Sequence, residues 1–259
     1  WILAANSFMQ RPVGYTINNG RAEMTDLVAL LTNGQLIWEF PHTVTAAFAT
    51  GSFLVAGISA WKILKRRNVD FFRTSFKLSV IVACISSIAI ALFGHSQAQY
   101  LVETQPMKMA ASEGLWETSS DPAPWTLFAV IDPESKENKY EVKIPYLLSF
   151  LSYSKFSGSV QGMNELQAQY EEAYGPGDYI PPVRTTFWSF RIMVGAGTLM
   201  ILLGLYGAYM TLRKRWDKIK HGFYRAMTFA IFLPFIANTA GWMMTEIGRQ
   251  PWTVFGLLT

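Results

Sequence analysis

The sequence predicts an all-α, multi-pass transmembrane helical bundle with a long extracytoplasmic loop, and three observations predict it. The chain of 259 residues is 51% hydrophobic and only 15% charged, too apolar for an ordinary soluble domain of that length. Four apolar runs, 42–64, 76–94, 187–212 and 224–246, are each long enough to cross ~30 Å of hydrocarbon as a helix at ~1.5 Å per residue. Strands in their place would leave unpaired edges in lipid. The third observation is the placement of charge. Residues 62–77 carry six Lys/Arg against Asp70, residues 213–225 carry six against Asp217, and residues 95–186 hold twelve Asp/Glu and six Lys/Arg. Short basic loops stay in the cytoplasm, so both hairpin tips are assigned inside and the acidic loop outside. Because each basic run is short and flanked by spans, topology accounts for it and no nucleic-acid partner is expected.

Residues 1–12 (WILAANSFMQRP) are expected to be the end of a further transmembrane helix, so the chain is read as a fragment, in which a signal peptide would not show. An outer loop, 13–37, follows, with a short interfacial helix near Met24–Leu31. The first complete transmembrane helix is expected over 38–64, with Pro41 in its first turn, where amides lack intrahelical acceptors. A cytoplasmic loop 65–75, a transmembrane helix 76–94 and the extracytoplasmic loop 95–186 come next. That loop is not of low complexity. It holds "WTLFAVI", "IPYLLSFL" and "GMNELQAQYEEA", pieces that fold on one another or on a partner, and closes on the turn signal "YGPGDYIPP". A transmembrane helix 187–212, a cytoplasmic loop 213–223, a transmembrane helix 224–246 and an outer segment 247–259 complete the order. The single cysteine, Cys84, lies mid-span without an intrachain partner.

Topology brings two metal-binding side chains to one depth. His42 lies within the first turns of a helix that starts outside, and Met193 lies about two turns into another that also starts outside. An imidazole and a thioether at one level suit the axial positions of a low-spin haem, although core packing is the ordinary role of a methionine on a span. Arg191, close to the bilayer, calls for an anionic partner, either a haem propionate or a lipid headgroup. Gly195 and Gly197 permit close approach of a macrocycle or of another helix. At the outer end of the fourth span, Glu246 either pairs with Arg249 or serves as a protonatable group beside a centre that consumes protons, with Trp242 and Trp252 as belt aromatics. In "QPMKMAASEGLWET", Lys108 and Glu113 stand five residues apart and are expected to address one small polar ligand, the ammonium orienting a quinol oxygen and the carboxylate accepting a proton. His95 is a weaker candidate for that proton.

These residues carry a resemblance to subunit I of the cytochrome bd-type quinol oxidases. It runs through "WILAANSFMQRP", "PHTVTAAFATGSFLVAGISAW", "QPMKMAASEGLWET", "FWSFRIMVGAG" and "AGWMMTEIGRQPW", in that order. The resemblance implies that His42 and Met193 ligate the low-spin haem b558, with Arg191 associated with it. It implies that Lys108 and Glu113 belong to a quinol-binding Q-loop, residues 95–186, and that Glu246, with Trp242 and Arg249 in the same motif, lies by haems b595 and d. Implied too are ubiquinol or menaquinol as substrate, O2 as acceptor, a subunit II and small accessory subunits as partners, and a bacterial or archaeal cell membrane with its lipid as the location. The family's first helices and its final helix are expected to be missing, and the Q-loop lacks the long insertion of some members. A membrane transporter working through Arg191, Glu246 and Arg249 is the alternative, and a haem-free structural subunit a further one. Either would be colourless when purified.

Overall fold

The computed structural model describes residues 1–259, apart from the Asp217 side chain. In chain order the elements are α1 (Ile2–Gln10), β1 (Tyr15–Asn18), β2 (Arg21–Met24), α2 (Leu27–Leu31), α3 (Gly34–Leu64), α4 (Val69–Thr104), α5 (Pro106–Glu113), β3 (Trp125–Asp132), β4 (Glu137–Ile144), α6 (Leu147–Tyr153), α7 (Met163–Tyr174), α8 (Val183–Leu212), α9 (His221–Phe229) and α10 (Leu233–Ile247), with 3-10 turns at Trp216–Lys218 and Ala230–Phe232. Four helical stretches, Gly34–Leu64, Val69–Thr104, Val183–Leu212 and His221–Ile247, are long and apolar enough to cross a membrane. Between 22% and 39% of their most apolar windows is buried within the chain, so most of that apolar surface is left for lipid or other helices.

The helices overrun the apolar runs that announce them. The first begins at Gly34, not 38, with the Asn33 side-chain oxygen accepting from the Gln35 amide at 3.0 Å. Pro41 is therefore inside the helix, where it removes the bond that its amide would make to the Ile37 carbonyl. The second runs from Val69 to Thr104, taking in residues assigned to the loops on both sides. Hydropathy marks the part of a helix that meets hydrocarbon; its polar ends continue beyond. The fourth span is broken at Ala230–Phe232, just ahead of Pro234, which cannot donate a helical hydrogen bond.

Helices dominate, as the fold class expects, and two small hairpins accompany them. In β1–β2, Asn18 pairs with Arg21 across Asn19–Gly20, both with positive φ (48° and 74°), the turn that an Asn-Gly pair favours. In β3–β4, the run of aromatic and β-branched residues in WTLFAVID suits an extended strand better than a helix.

By contacts the chain forms two compact units. One comprises Trp1–Phe40, Gly94–Arg191 and Trp242–Thr259; the other comprises Pro41–Phe93 and Ile192–Gly241. The core of the first gathers Leu148, Met163, Leu166, Phe187 and Trp252. Its α7 starts against the segment after α5, whose Leu115 and Trp116 carbonyls accept from the amides of Met163 (2.9 Å) and Asn164 (3.0 Å), two of the donors that a helix start leaves free. The core of the second unit gathers Phe53, Phe76, Val80, Met200 and Met227. Small residues let its helices approach: a Cβ on Gly204 would lie 2.9 Å from the Cys84 Cα.

Candidate functional site: two buried charge networks and a histidine–methionine pair

Short α5 places Lys108 and Glu113 in the first unit. Pro106 opens it, at a position where a missing amide hydrogen is harmless, and Gly114, with φ 65°, closes it. Five residues along a helix turn a side chain through roughly 140° from the first, so the two diverge. The two side chains meet different partners, in separate networks.

Glu113 is 1% exposed and pairs with Arg191, whose Nη2 lies 2.7 Å from its Oε2. The guanidinium also donates from Nε to the Thr126 carbonyl (2.7 Å) and from Nη1 to the Ser112 carbonyl (3.2 Å). It lies over the rings of Phe187 (4.3 Å) and Trp125 (4.7 Å). Burial raises the Glu113 carboxyl above its ordinary value, and Arg191 opposes the rise. Arg191 thus meets a carboxylate of its own chain.

Lys108 lies in the second network, 3% exposed, with its ammonium donating to the Gln10 side-chain oxygen. The same oxygen accepts from Gln105 Nε2 at 2.8 Å. Across it, Asn6 Nδ2 donates to Glu246 Oε1 at 2.5 Å, and Arg249 Nη2 holds Glu246 Oε2 at 2.6 Å, so the expected Glu246–Arg249 pair is present. Glu39, on α3 in the same unit, is 6% exposed. Atoms buried without a partner in this unit include Glu39 Oε2, Arg249 Nη1 and the Tyr170 hydroxyl. A cavity of about 10 Å³, the space for one water, is lined by Lys108, Arg249, Gln105, Tyr170 and Tyr179. Burial first, then Arg249, pulls the Lys108 ammonium from 10.5 down to about 7. Gly248 makes room for its stem, since a Cβ there would stand 2.9 Å from the Lys108 Cγ.

Sequence reasoning missed Asn6, Gln10, Glu39 and Gln105. The signal that could have found Glu39 is a lone carboxylate in an apolar segment, at the edge of a helix expected from 38. Trp242 is 41% exposed. His95 shares a hydrogen bond of 3.1 Å with the Ser154 hydroxyl and stacks on Phe150.

His42 and Met193 both belong to the second unit. The imidazole Nδ1 is buried without a hydrogen-bond partner, and the ring lies against the Ile90 backbone. Thr45 Oγ1 donates to the carbonyls of Pro41 (2.7 Å) and His42 (2.9 Å), tying down the turn that carries the ring. The Met193 thioether faces α10, its Sδ 3.0 Å from where a Gly241 Cβ would stand. An orphaned imidazole nitrogen and a thioether are a donor set that suits haem iron.

Four long apolar helices define a multi-pass membrane protein. The chain belongs to the cytochrome bd terminal oxidase subunit I family, whose model matches residues 1–259. It is 61% identical over 259 residues to the cytochrome bd ubiquinol oxidase subunit 1 of Bacillus subtilis, covering 100% of this chain and 55% of that protein. It is 31% identical over 318 residues to the cytochrome bd-II ubiquinol oxidase subunit 1 of Escherichia coli, covering 100% of this chain and 61% of that protein. Among solved structures, the bd oxidase from Geobacillus thermodenitrificans superposes with a TM-score of 0.85 at 32% identity, over 100% of this chain and 59% of that one. The chain thus spans between 55% and 61% of the length of these relatives.

Proposed function

We propose that the chain is the quinol-facing, haem b558-holding part of subunit I of a respiratory terminal oxidase. In this reading the complete subunit, paired with subunit II, oxidises quinol at the outer membrane face and reduces O2 to water, building a proton motive force without pumping. The observation that carries it is Lys108: a buried ammonium with one acceptor, Gln10, and a water-sized cavity beside it. With its proton affinity brought to about 7, this group is poised to hydrogen-bond a quinol oxygen and to trade a proton near neutral pH. Glu113 contributes by anchoring the end of α5 to Arg191 on α8 rather than by meeting the same oxygen.

His42 and Met193 would hold haem b558, through the free imidazole nitrogen and the thioether. When bound, the haems of the complete subunit, b558 here and b595 and d beyond it, supply one-electron transfer and oxygen reduction. Glu246, its two oxygens held by Asn6 and Arg249, is the carboxylate placed to exchange a proton. Trp242, four residues before Glu246, would supply aromatic surface beside it.

The test is oxygen uptake by the complete subunit assembled with its partner, driven by a reduced soluble quinol. Uptake, with low-spin and high-spin haem bands in the reduced-minus-oxidised spectrum, is expected. A colourless complex that takes up no oxygen would contradict the reading. Lys108→Met is expected to raise KM for quinol about tenfold or more, the usual worth of a hydrogen bond from a charged donor.

A further inference from the structure

The β3–β4 hairpin carries apolar side chains on both of its faces. One face packs inward, with Ala129 and Ile131 buried in the core of the first unit. Paired residues of an antiparallel ladder share a face, so the pairing of Phe128 with Val142 and of Val130 with Tyr140 gathers four apolar side chains on the other. These four, with Leu127 beside them at a bulge, are between 40% and 59% exposed. A sheet with one solvated face ordinarily alternates apolar and polar residues, so an outward face of this composition calls for a cover of its own.

Three contacts to α8 fix the depth of that face. The Ile131 carbonyl accepts from Arg184 Nε at 2.8 Å, the Phe128 ring meets Trp188 edge-on with centroids 5.1 Å apart, and the Thr126 carbonyl accepts from Arg191 Nε at 2.7 Å. Read from Ile131 back to Thr126, β3 descends along the start of α8, by roughly 10 Å over the seven residues from Arg184 to Arg191. The apolar run of that span begins at 187, so the open end of the hairpin lies at the edge of the hydrocarbon and its turn lies outside. Charge follows the same gradient. Asp132, Glu134, Lys136, Glu137 and Lys139 cluster around the turn, whereas the open end exposes Leu127, Phe128, Val142 and Ile144 beside a single ion pair, Lys143 with Glu141.

We propose that this hairpin is an interfacial anchor, its outward face seated in the headgroup–acyl boundary of the membrane at the face where α8 begins. The partner is the lipid surface itself. A change from charged turn to apolar open end, over the height of the first turns of a span, matches the passage from water to acyl chains. Trp188 and Tyr140 serve as belt aromatics, apolar bodies with a polar tip, and Lys143 stands at the level of lipid phosphates. The inference stands apart from the quinol reading, since it uses neither Lys108 nor the histidine–methionine pair. It bears on the same unit all the same. Asn138 of β4 donates from Nδ2 to the Gly114 carbonyl at 2.9 Å, so the seated hairpin holds the C-terminal end of α5 at a fixed height over the lipid.

The experiment uses the complete subunit assembled with its partner in phosphatidylcholine nanodiscs, a fraction of whose lipid carries a photoactivated diazirine at the top of an acyl chain. After irradiation, lipid adducts are located by peptide mass spectrometry. Residues 127–130 and 140–144 are expected to be labelled several-fold above the turn residues 133–136, with the spans labelled as the positive control. Labelled spans beside a hairpin no more labelled than its turn would overturn the proposal. A second arm places a photoreactive side chain on the face itself, Val142→p-benzoylphenylalanine, in the same complex and lipid. Its expected photoproduct is a lipid adduct. A crosslink to another polypeptide would give the face to a protein partner, and no adduct of either kind would give it to water; both results overturn the proposal. Because the first arm uses the parent protein, it decides the matter if the substitution prevents assembly.

Discussion

Arg191 shows how a single side chain organises its surroundings: one guanidinium binds a carboxylate, two carbonyls and the faces of two aromatic rings, all within one unit. Removing it strands the Glu113 charge at 1% exposure. Arg191→Leu is therefore expected to destabilise by ~3–5 kcal/mol in denaturation of the detergent-solubilised complex, and Arg191→Leu/Glu113→Leu to recover much of the loss. Full additivity of the two single changes would contradict the pairing. Lys108 gives the stability of the complex a pH dependence of its own. Its affinity for a proton is about 7 in the fold against 10.5 in the unfolded chain, so the unfolded state binds more protons between those values and stability rises with pH across that window. Lys108→Met should flatten that rise; a slope unchanged in the variant would assign it elsewhere. Lys108 and Glu113 were legible in the sequence as polar residues in a distinctive motif. Their separation followed from a rotation of roughly 140° that linear spacing conceals. The partner of Lys108 comes from α1, and nothing in a sequence read alone brings Gln10 to its side.

Among the elements, four apolar runs announced four spans, because hydrocarbon enforces helix and leaves a strong hydropathy signal. The ends of α3 and α4 escaped that signal, and so did the Asn19–Gly20 hairpin, whose turn residues were readable but lay in a segment taken for a loop. The helix ends matter to the site: because α3 starts at Gly34, Glu39 sits in its second turn, and Pro41 leaves the Ile37 carbonyl without its helical donor. Glycines at two contacts tune the candidate residues. Gly241→Ala places a Cβ 3.0 Å from the Met193 sulfur, so the thioether must shift, and the low-spin haem band is expected to weaken or move. Gly51→Ala, with nothing within 4 Å of the added carbon, serves as the control and should leave the band unchanged. An unchanged spectrum in Gly241→Ala would mean that Met193 holds no iron. Gly248→Ala, pressing on the Lys108 stem at 2.9 Å, is expected to raise KM for quinol while sparing that band.

At the scale of the molecule, the chain concentrates its buried charge in one unit and carries His42 and Met193 in the other. A quinol site needs groups that move protons, and a low-spin haem needs soft, neutral donors, so the division follows the chemistry that each is proposed to serve. Family membership was legible because polar residues recur in order within five apolar or loop blocks, and the match over residues 1–259 bears it out. The pairing of Arg191 was not legible, because Glu113 lies 78 positions away along the chain. The account turns on whether His42 and Met193 hold one haem between them. Reduced-minus-oxidised spectra of the complete subunit assembled with its partner, for the parent, His42→Ala and Met193→Ala, test this most directly. Loss or a marked shift of the low-spin band in each variant, with the protein still assembled and the high-spin bands retained, is the predicted result; an unaltered low-spin band in either variant would contradict it.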